Sequence, residues 1–379
     1  MATDADVVVI GAGPIGSALA VMLGRAGLRT VLLDRTRFPR DKPCGEGLMP
    51  AGARVLDELG VPLHGFPDLA GVTYHVPGSG SLVGNFPQGT TGKGARRLTF
   101  DELLAETAAA TPEVDLLLGC EAKSVEAGES EAAVVTSAGE IRTRFVVGAD
   151  GLRSRLARWM GWSRPPKGRR RYAVVGHLEA SGHPFDRIVV TLLDGVEVYL
   201  APTGRDELLV ALLGSKPGLR GEGEPMRQAY RTRLAEAHPE LAGARCSGIQ
   251  GAGPFWTRPT TTATGPVFLV GDAAGFLDPL TGDGMAAGLL AARHLASLLA
   301  RGEPNADEAY RRWEGRQWRR RAFMSRLALT LTGSSGRARR AVAGLRRRPS
   351  TLDRLLEVND GSRSLLSLSL GDWAALAGI

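Results

Sequence analysis

The first 34 residues combine two short apolar runs, three glycines and a helical run in one continuous pattern. Residues 6–10 hold four successive β-branched side chains, which predicts a strand buried on both faces, as in a parallel sheet. An alanine- and leucine-rich run over 17–27 has helical character, and a second apolar run over 30–33 ends on Asp34. The pattern therefore predicts a βαβ unit at the start of the chain.

Downstream, the apolar positions predict a mixture of strands and helices. Alternation punctuated by glycine over 71–86 predicts antiparallel strands, and 96–104 opens an amphipathic helix with Thr99 or Asp101 as its expected N-cap. Other segments with strand character are 114–118, 122–127, 132–136, 144–148, 172–178, 188–193, 196–200, 208–213 and 265–272. Further helices are expected after 148–155, near 226–237, over 286–300 and through the remaining residues.

The order of these segments predicts the fold class. A parallel start, a strand-rich middle and a return to a buried strand and helix indicate an α/β protein. We expect a Rossmann-like parallel sheet, an inserted and mostly antiparallel sheet, and a C-terminal helical region. Between residues 213 and 255 we expect only loops and one helix.

The composition is ordinary apart from an arginine bias. Of 379 residues, 43% are hydrophobic and 23% are charged, and only five of the 47 basic residues are lysine. Three widely spaced cysteines, Cys44, Cys120 and Cys246, predict neither a disulfide framework nor a metal site and fit a reducing cytoplasm. We expect no signal peptide, and no membrane span because no run of roughly 18 apolar residues occurs. No nucleic-acid-binding module is recognisable.

The glycines between the first strand and the first helix indicate the chemistry. Gly11, Gly13 and Gly16 have the G-x-G-x-x-G spacing, which allows a tight turn, a close approach of the backbone to a pyrophosphate, and close packing of helix and strand. The N–H groups at the helix start then face the phosphates. Asp34, at the end of the second strand, is placed to accept hydrogen bonds from a ribose diol. The sequence therefore predicts dinucleotide binding.

Two later motifs, taken together with the glycine motif, resemble those of a known group of families. Residues 148–154 read Gly-Ala-Asp-Gly-Leu-Arg-Ser, and 271–284 open with Gly-Asp-Ala-Ala. In this order, the three motifs resemble the set shared by single-component FAD-dependent aromatic hydroxylases, geranylgeranyl reductases and flavin-dependent halogenases, which have an FAD fold of the glutathione-reductase type. The Pro-Cys-Gly-Glu-Gly loop at 43–47 is most similar to the geranylgeranyl-reductase branch.

The resemblance implies FAD as the cofactor and NADPH or NADH as its reductant, the latter bound without a Rossmann domain of its own. It places Arg35 beside the adenosine and Arg97 along the flavin. It also implies that Gly282, Gly284 and Met285 place a helix N-terminus against the pyrimidine edge, where a helix dipole stabilises reduced flavin. The implied cofactor-binding residues are Gly11, Gly13, Pro14, Gly16, Asp34, Arg35, Cys44, Gly45, Arg97, Asp150, Gly151, Gly271, Asp272, Pro279, Gly282, Gly284 and Met285.

The resemblance also implies a division of the chain. The FAD-binding part would comprise 1–70, 96–171 and 256–302, and the substrate-binding part 71–95 and 172–255. Residues 303–379 would form a basic helical region.

Several of these residues have simpler alternatives. Asp150 and Asp272 could each cap the helix that follows them. Cys44 and Tyr199 are the candidates for a catalytic or substrate-facing role, and packing is an open alternative for both. The six histidines show no ligand spacing, so structural roles are expected and no metal site is predicted.

The arginine-rich C-terminal region leaves two alternatives open. A basic amphipathic helix carrying Trp313, Trp318 and Phe323 could make a weak contact with an anionic membrane surface or meet a lipid-like substrate. A solvated helical face is the alternative that we favour.

For the reaction, the first hypothesis is a hydroxylase. It would consume NAD(P)H and O₂ and act through a flavin C4a-hydroperoxide on an aromatic, polyketide or phenolic-lipid molecule of specialised metabolism. A prenyl double-bond reductase is the second hypothesis, although the strand Tyr199-Leu200-Ala201-Pro202 lacks the Trp of the reductase pattern. A halogenase is third, since no Trp-x-Trp-x-Ile-Pro occurs. A non-enzymatic flavin-binding sensor has no partner domain to support it.

Overall fold

In the computed structural model, residues 3–165, 170–220 and 225–378 are described. They form two large sheets, a small sheet and a set of C-terminal helices. The fold class expected from the sequence is confirmed.

The first large sheet has eight strands, in the order β17-β18-β11-β1-β2-β8, with β10 and β9 continuing from β11. Strands β1, β2, β8, β11 and β18 are mutually parallel, whereas β9, β10 and β17 are paired antiparallel. The strands are β1 (Ala5–Ile10), β2 (Thr30–Asp34), β8 (Val114–Leu118), β9 (Ala122–Ala127), β10 (Ala132–Thr136), β11 (Gly139–Gly148), β17 (Ala263–Thr264) and β18 (Val267–Leu269).

Helices and a hairpin cover the two faces of this sheet. One face packs on α1 (Pro14–Arg25), α3 (Arg97–Ala109) and α7 (Gly284–Ala300), with α2 (Pro50–Glu58) against α7. The other face packs on β9–β10 and α4 (Arg155–Trp159). Residues 7–10 of β1, residues 145–147 at the end of β11, and β18 lie inside the fold, so these stretches are continuous apolar runs rather than alternating ones, whereas the first half of β11 is polar and mostly exposed.

The second large sheet has seven strands in the order β16-β12-β15-β14-β13-β5-β6. All its pairs are antiparallel except β13 with β5. The strands are β5 (Gly71–Val76), β6 (Gly80–Asn85), β12 (Tyr172–Glu179), β13 (Ile188–Leu192), β14 (Val196–Pro202), β15 (Glu207–Gly214) and β16 (Cys246–Ala252). One face packs on α6 (Met226–Ala237), and the other faces the first sheet across a cleft.

A small three-stranded sheet connects the two large ones. It is formed by β3 (Gly47–Leu48), β7 (Gly92–Gly94) and β4 (Asp68–Leu69). A short helix, α5 (Lys216–Arg220), follows β15.

Four helices complete the described chain, namely α8 (Ala306–Thr332), α9 (Ser335–Arg347), α10 (Ser350–Asp360) and α11 (Leu370–Ala377). Helices α9 and α10 pack on the edge of the second sheet formed by β5 and β6, α8 packs on α7, α9 and β17, and α11 packs on α9. No helix in the described ranges is long and apolar enough to cross a bilayer.

Three sequence predictions about elements are wrong. The stretch between β15 and Phe255 contains β16 and α5 as well as the expected helix, because pairing with β12 makes a strand of a glycine-containing segment without a strong alternating pattern. The strand expected over 265–272 is limited to β18, since 271–274 form a 3₁₀ turn. Thr99 and Asp101 do not cap α3, which begins before them at Arg97.

Candidate active site

A cavity of about 890 Å³ lies between the two large sheets. On one side it is bounded by the residues that follow the carboxyl ends of β1, β2, β11 and β18, the location at which open α/β sheets bind ligands. Every residue that the sequence predicts to bind the cofactor lines this cavity except Gly16, and Tyr199 lines it too. Three motifs that are far apart in the chain therefore meet in one cleft.

The glycine loop has the geometry of a phosphate cradle. Gly11 has a φ of +109°, and a Cβ there would lie 2.6 Å from the carbonyl oxygen of Ala149. A Cβ on Gly16 would overlap the carbonyl oxygen of Gly11, whereas Gly13 is open toward the cleft. Helix α1 starts with Pro14 and has no side-chain cap, so N–H groups of its first turn remain available. The loop fits a pyrophosphate.

Asp34 is largely occupied by protein donors. Its Oδ2 accepts the backbone N–H of Ala12 at 2.9 Å and the Arg40 guanidinium at 3.3 Å. Its Oδ1 accepts the N–H and the hydroxyl of Thr36, at 2.9 and 2.7 Å. Because a carboxylate has about four lone-pair positions, a ribose diol at this site would replace one of these donors. The bond to Arg40 is the longest.

Two cations that sequence reasoning missed line the cleft, Arg40 beside the glycine loop and Lys42 beside Gly151. The Arg40 guanidinium lies between Asp34 and Asp101, 3.7 Å from the latter, and its buried Nε has no partner among the described residues. The Lys42 ammonium approaches Gly151, where a Cβ would lie 3.0 Å from it. Burial lowers the pKa of Lys42, and the carboxylate of Asp272 opposes that shift. The basic character of the loop after Asp34 was the available signal for these anion-binding groups.

The Cys44 loop is held from beneath by Glu46. Glu46 has a φ of +55° and a fully buried side chain. Its carboxylate accepts the backbone N–H of Arg97 at 2.8 Å, the Arg96 guanidinium at 3.2 Å and the Nε2–H of His177 at 2.9 Å. Glu46 therefore supplies the acceptor at the start of α3 and ties the loop to β12 of the second sheet.

Tyr199 supports the same loop from the second sheet. A Cβ on Gly45 would lie 3.6 Å from the Tyr199 ring, and one on Gly47 would lie 2.5 Å from its hydroxyl. A side chain at position 47 would therefore collide with the Tyr199 hydroxyl, whereas the Gly45 backbone is in ordinary van der Waals contact with the ring. Among the described residues, the Tyr199 hydroxyl has no hydrogen-bond partner.

Cys44 and Tyr199 both keep their protons at neutral pH. Burial raises the pKa of the Cys44 thiol, and the nearby Arg97 guanidinium opposes part of this shift. Burial also raises the pKa of the Tyr199 phenol. Cys44 accepts a hydrogen bond on Sγ from the backbone N–H of Glu46 at 3.4 Å. The thiol is thus a potential proton donor rather than a preformed nucleophilic thiolate.

Arg97 lies between this loop and the cofactor groove. Its guanidinium forms a bidentate pair with Asp101, at 2.5 and 2.7 Å, one turn further along α3. Desolvation opposes its charge, but the pair with Asp101 dominates and raises the pKa of Arg97. The side chain is held in place on the floor of the cleft.

The two carboxylate oxygens of Asp150 have different roles. Its Oδ2 accepts the N–H groups of Arg155 and Leu156, at 2.6 and 3.2 Å, and so supplements the N-cap of α4, which is Ser154. Its Oδ1 is buried without a partner among the described residues. The cap and the cofactor role are therefore compatible, because each uses a different oxygen.

Asp272 lies opposite the cations. It is in the 3₁₀ turn after β18, and its carboxylate has no hydrogen-bond donor among the described residues. Burial raises the pKa of Asp272, while Lys42 and Arg97 oppose that shift. A hydroxyl-bearing ligand would supply the missing donor.

The start of α7 closes the cleft at its far end. Asp278 caps a 3₁₀ turn over Pro279–Thr281, Gly282 adopts a left-handed conformation, and α7 begins at Gly284, two residues earlier than expected. Asp278 accepts the Nε–H of Arg171 at 2.7 Å, and Arg171 also pairs with Glu197 of β14 at 2.7 Å. This ion-pair cluster connects the α7 start to the second sheet.

The opposite wall of the cleft is apolar. It is formed by side chains of the second sheet and of the segment that follows it, namely Ala173, Val175, Ala211, Leu213, Ala252 and Phe255. Tyr199 supplies its hydroxyl as a polar group on this wall. Among the described residues no cluster of three or more His, Cys, Asp or Glu side chains could hold a metal ion.

Comparison with known proteins agrees with this geometry. Residues 4–310 match the FAD binding domain family. The chain is 30% identical to a menaquinone reductase of Mycobacterium tuberculosis, over 87% of this chain and 84% of that protein. It is 27% identical to digeranylgeranylglycerophospholipid reductase 1 of Methanothermobacter thermautotrophicus, over 81% and 80%. A flavoprotein/dehydrogenase structure from Cytophaga hutchinsonii shares the fold, with a TM-score of 0.82, 20% identity and coverage of 94% and 93%.

Proposed function

We propose that this chain, which belongs to the FAD binding domain family, is an FAD-dependent reductase that saturates a carbon–carbon double bond in a lipid-like isoprenoid molecule. The coarser class, an FAD-dependent oxidoreductase, follows from the family and from the reductases that the chain matches. The observation that carries the finer proposal is a single cavity in which a polar groove fitted to a dinucleotide meets an apolar wall.

The apolar wall favours an isoprenoid over a phenol. A site that orients and deprotonates a phenol places polar groups around its oxygen, whereas this wall offers aliphatic side chains, Phe255 and a single hydroxyl. The names of two relatives, a menaquinone reductase and a digeranylgeranylglycerophospholipid reductase, support a lipid-like substrate.

The chain's own residues would hold FAD along the polar wall. The glycine loop and the start of α1 fit the pyrophosphate, Arg40 supplies positive charge beside the loop, and Lys42 supplies a second positive charge beside Gly151. The open oxygens of Asp150 and Asp272 suit hydroxyl groups of the cofactor. When bound and reduced, FAD supplies a hydride to one carbon of the double bond.

The proton for the other carbon is assigned to Cys44. Its thiol lines the cavity and is held in the protonated form by burial. After transfer, the nearby Arg97 guanidinium stabilises the thiolate, and a proton from water restores the thiol. Hydride and proton together saturate the bond without any oxidant. The reductant that we propose is NADPH or NADH. We expect the enzyme in the cytoplasm, because its three cysteines are free thiols and the cytoplasm is reducing.

The test is anaerobic turnover followed by mass spectrometry. The FAD-loaded protein is incubated with NADPH or NADH and a quinone or glycerolipid bearing a geranylgeranyl chain. We expect product two mass units heavier per reduced bond in H₂O and at least three units heavier in D₂O, because the proton comes from solvent. Cys44→Ala should lower kcat at least tenfold with FAD content unchanged, and Cys44→Ser should retain part of kcat. No heavier product under any of these conditions would disprove the reductase.

Hydroxylation is the second candidate, and one observation favours it. The Tyr199 hydroxyl projects from the apolar wall without a partner in the described part of the chain, so it could bind the oxygen of a phenolic substrate. In the same assay under air, a product heavier by one oxygen atom that is absent without O₂ would favour the hydroxylase.

A further inference from the structure

The C-terminal helices carry their arginines on a different surface from the one the sequence indicates. The Trp313 ring stacks on His294, with the ring centroids 4.5 Å apart. The Trp318 ring packs between two guanidinium groups, those of Arg258 at 4.3 Å and Arg321 at 5.6 Å. Both indoles are half-buried and pack on other side chains of the fold. Trp313 and Trp318 therefore do not form the free amphipathic face that could contact a membrane.

Helix α9 instead presents a basic outer face. Its apolar side, with Ala338, Val342 and Leu345, is buried against the protein. The exposed residues of α9 and the residue that follows it include Arg337, Arg339, Arg340, Arg346, Arg347 and Arg348. Among the described residues, only Arg348 of this set pairs with a carboxylate, that of Asp372.

Helix α11 runs antiparallel beside α9. Gly344 of α9 lies against the carbonyl of Ala375, and the Arg348 guanidinium lies over Gly371 and donates to the Ser369 hydroxyl at 3.2 Å. The carboxyl end of α9, where the arginines are concentrated, therefore adjoins the start of α11.

The start of α11 exposes large apolar side chains. Leu366 is 93% exposed and Leu370 is 89% exposed, whereas Val83 reaches only 46%. The segment that carries them is anchored, because Leu368 is buried and Leu365 packs on the same cluster. The two leucines are thus held outward rather than left on a loose end.

The rest of the outer side of α11 is also apolar. Ala377 is exposed, and Trp373 is half-buried with its ring edge-on to the exposed ring of Phe323. The one acid of this helix, Asp372, is fully buried by a capping box with Ser369 and by pairs with Arg348 and Arg354. No carboxylate of α11 therefore opposes an anionic partner.

We infer that this surface, formed by α9, the start of α11 and Leu366, binds peripherally to an anionic phospholipid bilayer. Leu366 and Leu370 enter the boundary between headgroups and acyl chains, and the α9 arginines contact lipid phosphates. A second copy of the chain fits the surface less well, since a symmetric contact would bring its arginines against those of the partner. The inference does not depend on which reaction the cleft performs.

The test is flotation of the purified FAD-loaded protein with vesicles of phosphatidylcholine alone or with 30% phosphatidylglycerol. We expect binding to the anionic vesicles that weakens as salt rises. Leu366→Ser with Leu370→Ser should lower the partition coefficient roughly tenfold. Arg339→Ala, Arg340→Ala and Arg347→Ala together should lower it roughly fivefold per arginine at low salt.

Matched controls change the same chemistry elsewhere. The first control, Leu117→Ser with Met226→Ser, removes two exposed apolar side chains outside this surface. The second, Arg54→Ala with Arg205→Ala and Arg245→Ala, removes three exposed arginines outside it. Retained binding in both controls supports the assignment to this surface. Equal losses in controls and surface variants would overturn it, as would no binding to anionic vesicles. A dimer in solution that the two leucine substitutions convert to a monomer would also overturn it, because the face would then belong to a second copy.

Discussion

The FAD-side wall of the cleft is built from loops that follow strands, whereas the facing wall is built mainly from side chains of the strands themselves. The loops bring glycines, cations and open carboxylate oxygens to the ends of β1, β2, β11 and β18. The second sheet can offer only every other side chain to the cleft, and those are apolar. The comparison indicates that backbone groups and charge bind the cofactor, while shape and apolar area select the substrate.

The largest expected effect is on the loop wall. Gly16→Ala would drive a methyl group into the carbonyl of Gly11, so we expect a loss of about 3 kcal/mol in the free energy of unfolding and loss of bound FAD. Urea denaturation and flavin absorbance measure these. Gly315→Ala is the control, because it lies in α8 with no neighbouring atom and should stabilise by up to about 1 kcal/mol. A stable, FAD-loaded Gly16→Ala variant would contradict the loop geometry.

The next effect concerns Glu46, where the two walls are joined. Glu46→Ala would leave buried His177 and the Arg97 N–H without their acceptor, while Arg96 would keep Asp41 and Glu207, so we expect about 3 kcal/mol of destabilisation by urea denaturation. Reductase activity should fall further than stability explains, because the Cys44 loop loses its anchor. Glu126→Gln, on an exposed strand position, should change neither quantity. Normal stability in Glu46→Ala would show that the walls are held independently.

The apolar wall can be tested by adding one hydroxyl group. Val175→Thr places it in the cleft, and we expect KM for an isoprenoid substrate to rise roughly three- to tenfold with FAD affinity unchanged, because the hydroxyl is desolvated without a partner. Val174→Thr, on the other face of the same strand, should lower stability but leave KM unchanged. Equal KM values in the two variants would mean that the substrate does not contact this wall.

The smallest expected effect is a pH dependence. Burial raises the pKa of Cys44, so its proton stays bound through neutral pH and is lost only above the ordinary thiol range near about 8.5. We expect kcat to fall less than tenfold between pH 7 and pH 9 and to decline more steeply above that range. In Cys44→Ser this decline should disappear. Lys42, whose pKa is lowered by burial, lies in the same cleft, so Lys42→Met should leave the decline in place.

Much of the fold could be predicted because its signals are local. The bounds of β8, β9, β10 and α6 agree with the periodicity of their own sequences. Strand β16 could not be predicted in this way, since its glycine-containing sequence becomes a strand only through its pairing with β12. The predicted N-cap of α3 was wrong for the same reason. The acceptor for the first N–H of α3 is Glu46, which is about fifty residues away in the sequence.

The sequence by itself determined that this protein binds a dinucleotide, because glycine spacing and a strand-end acid record constraints that a few neighbouring residues impose on one another. The resemblance of its three motifs to known flavoprotein families then implied FAD. The tertiary structure decided what surrounds the cofactor groove. It brought Arg40 beside the glycine loop and Lys42 beside Gly151, set an apolar wall opposite, and held Leu366 and Leu370 outward beside the α9 arginines. Each of these features depends on contacts between side chains that are far apart in the sequence. The local sequence pattern of one element cannot predict such contacts.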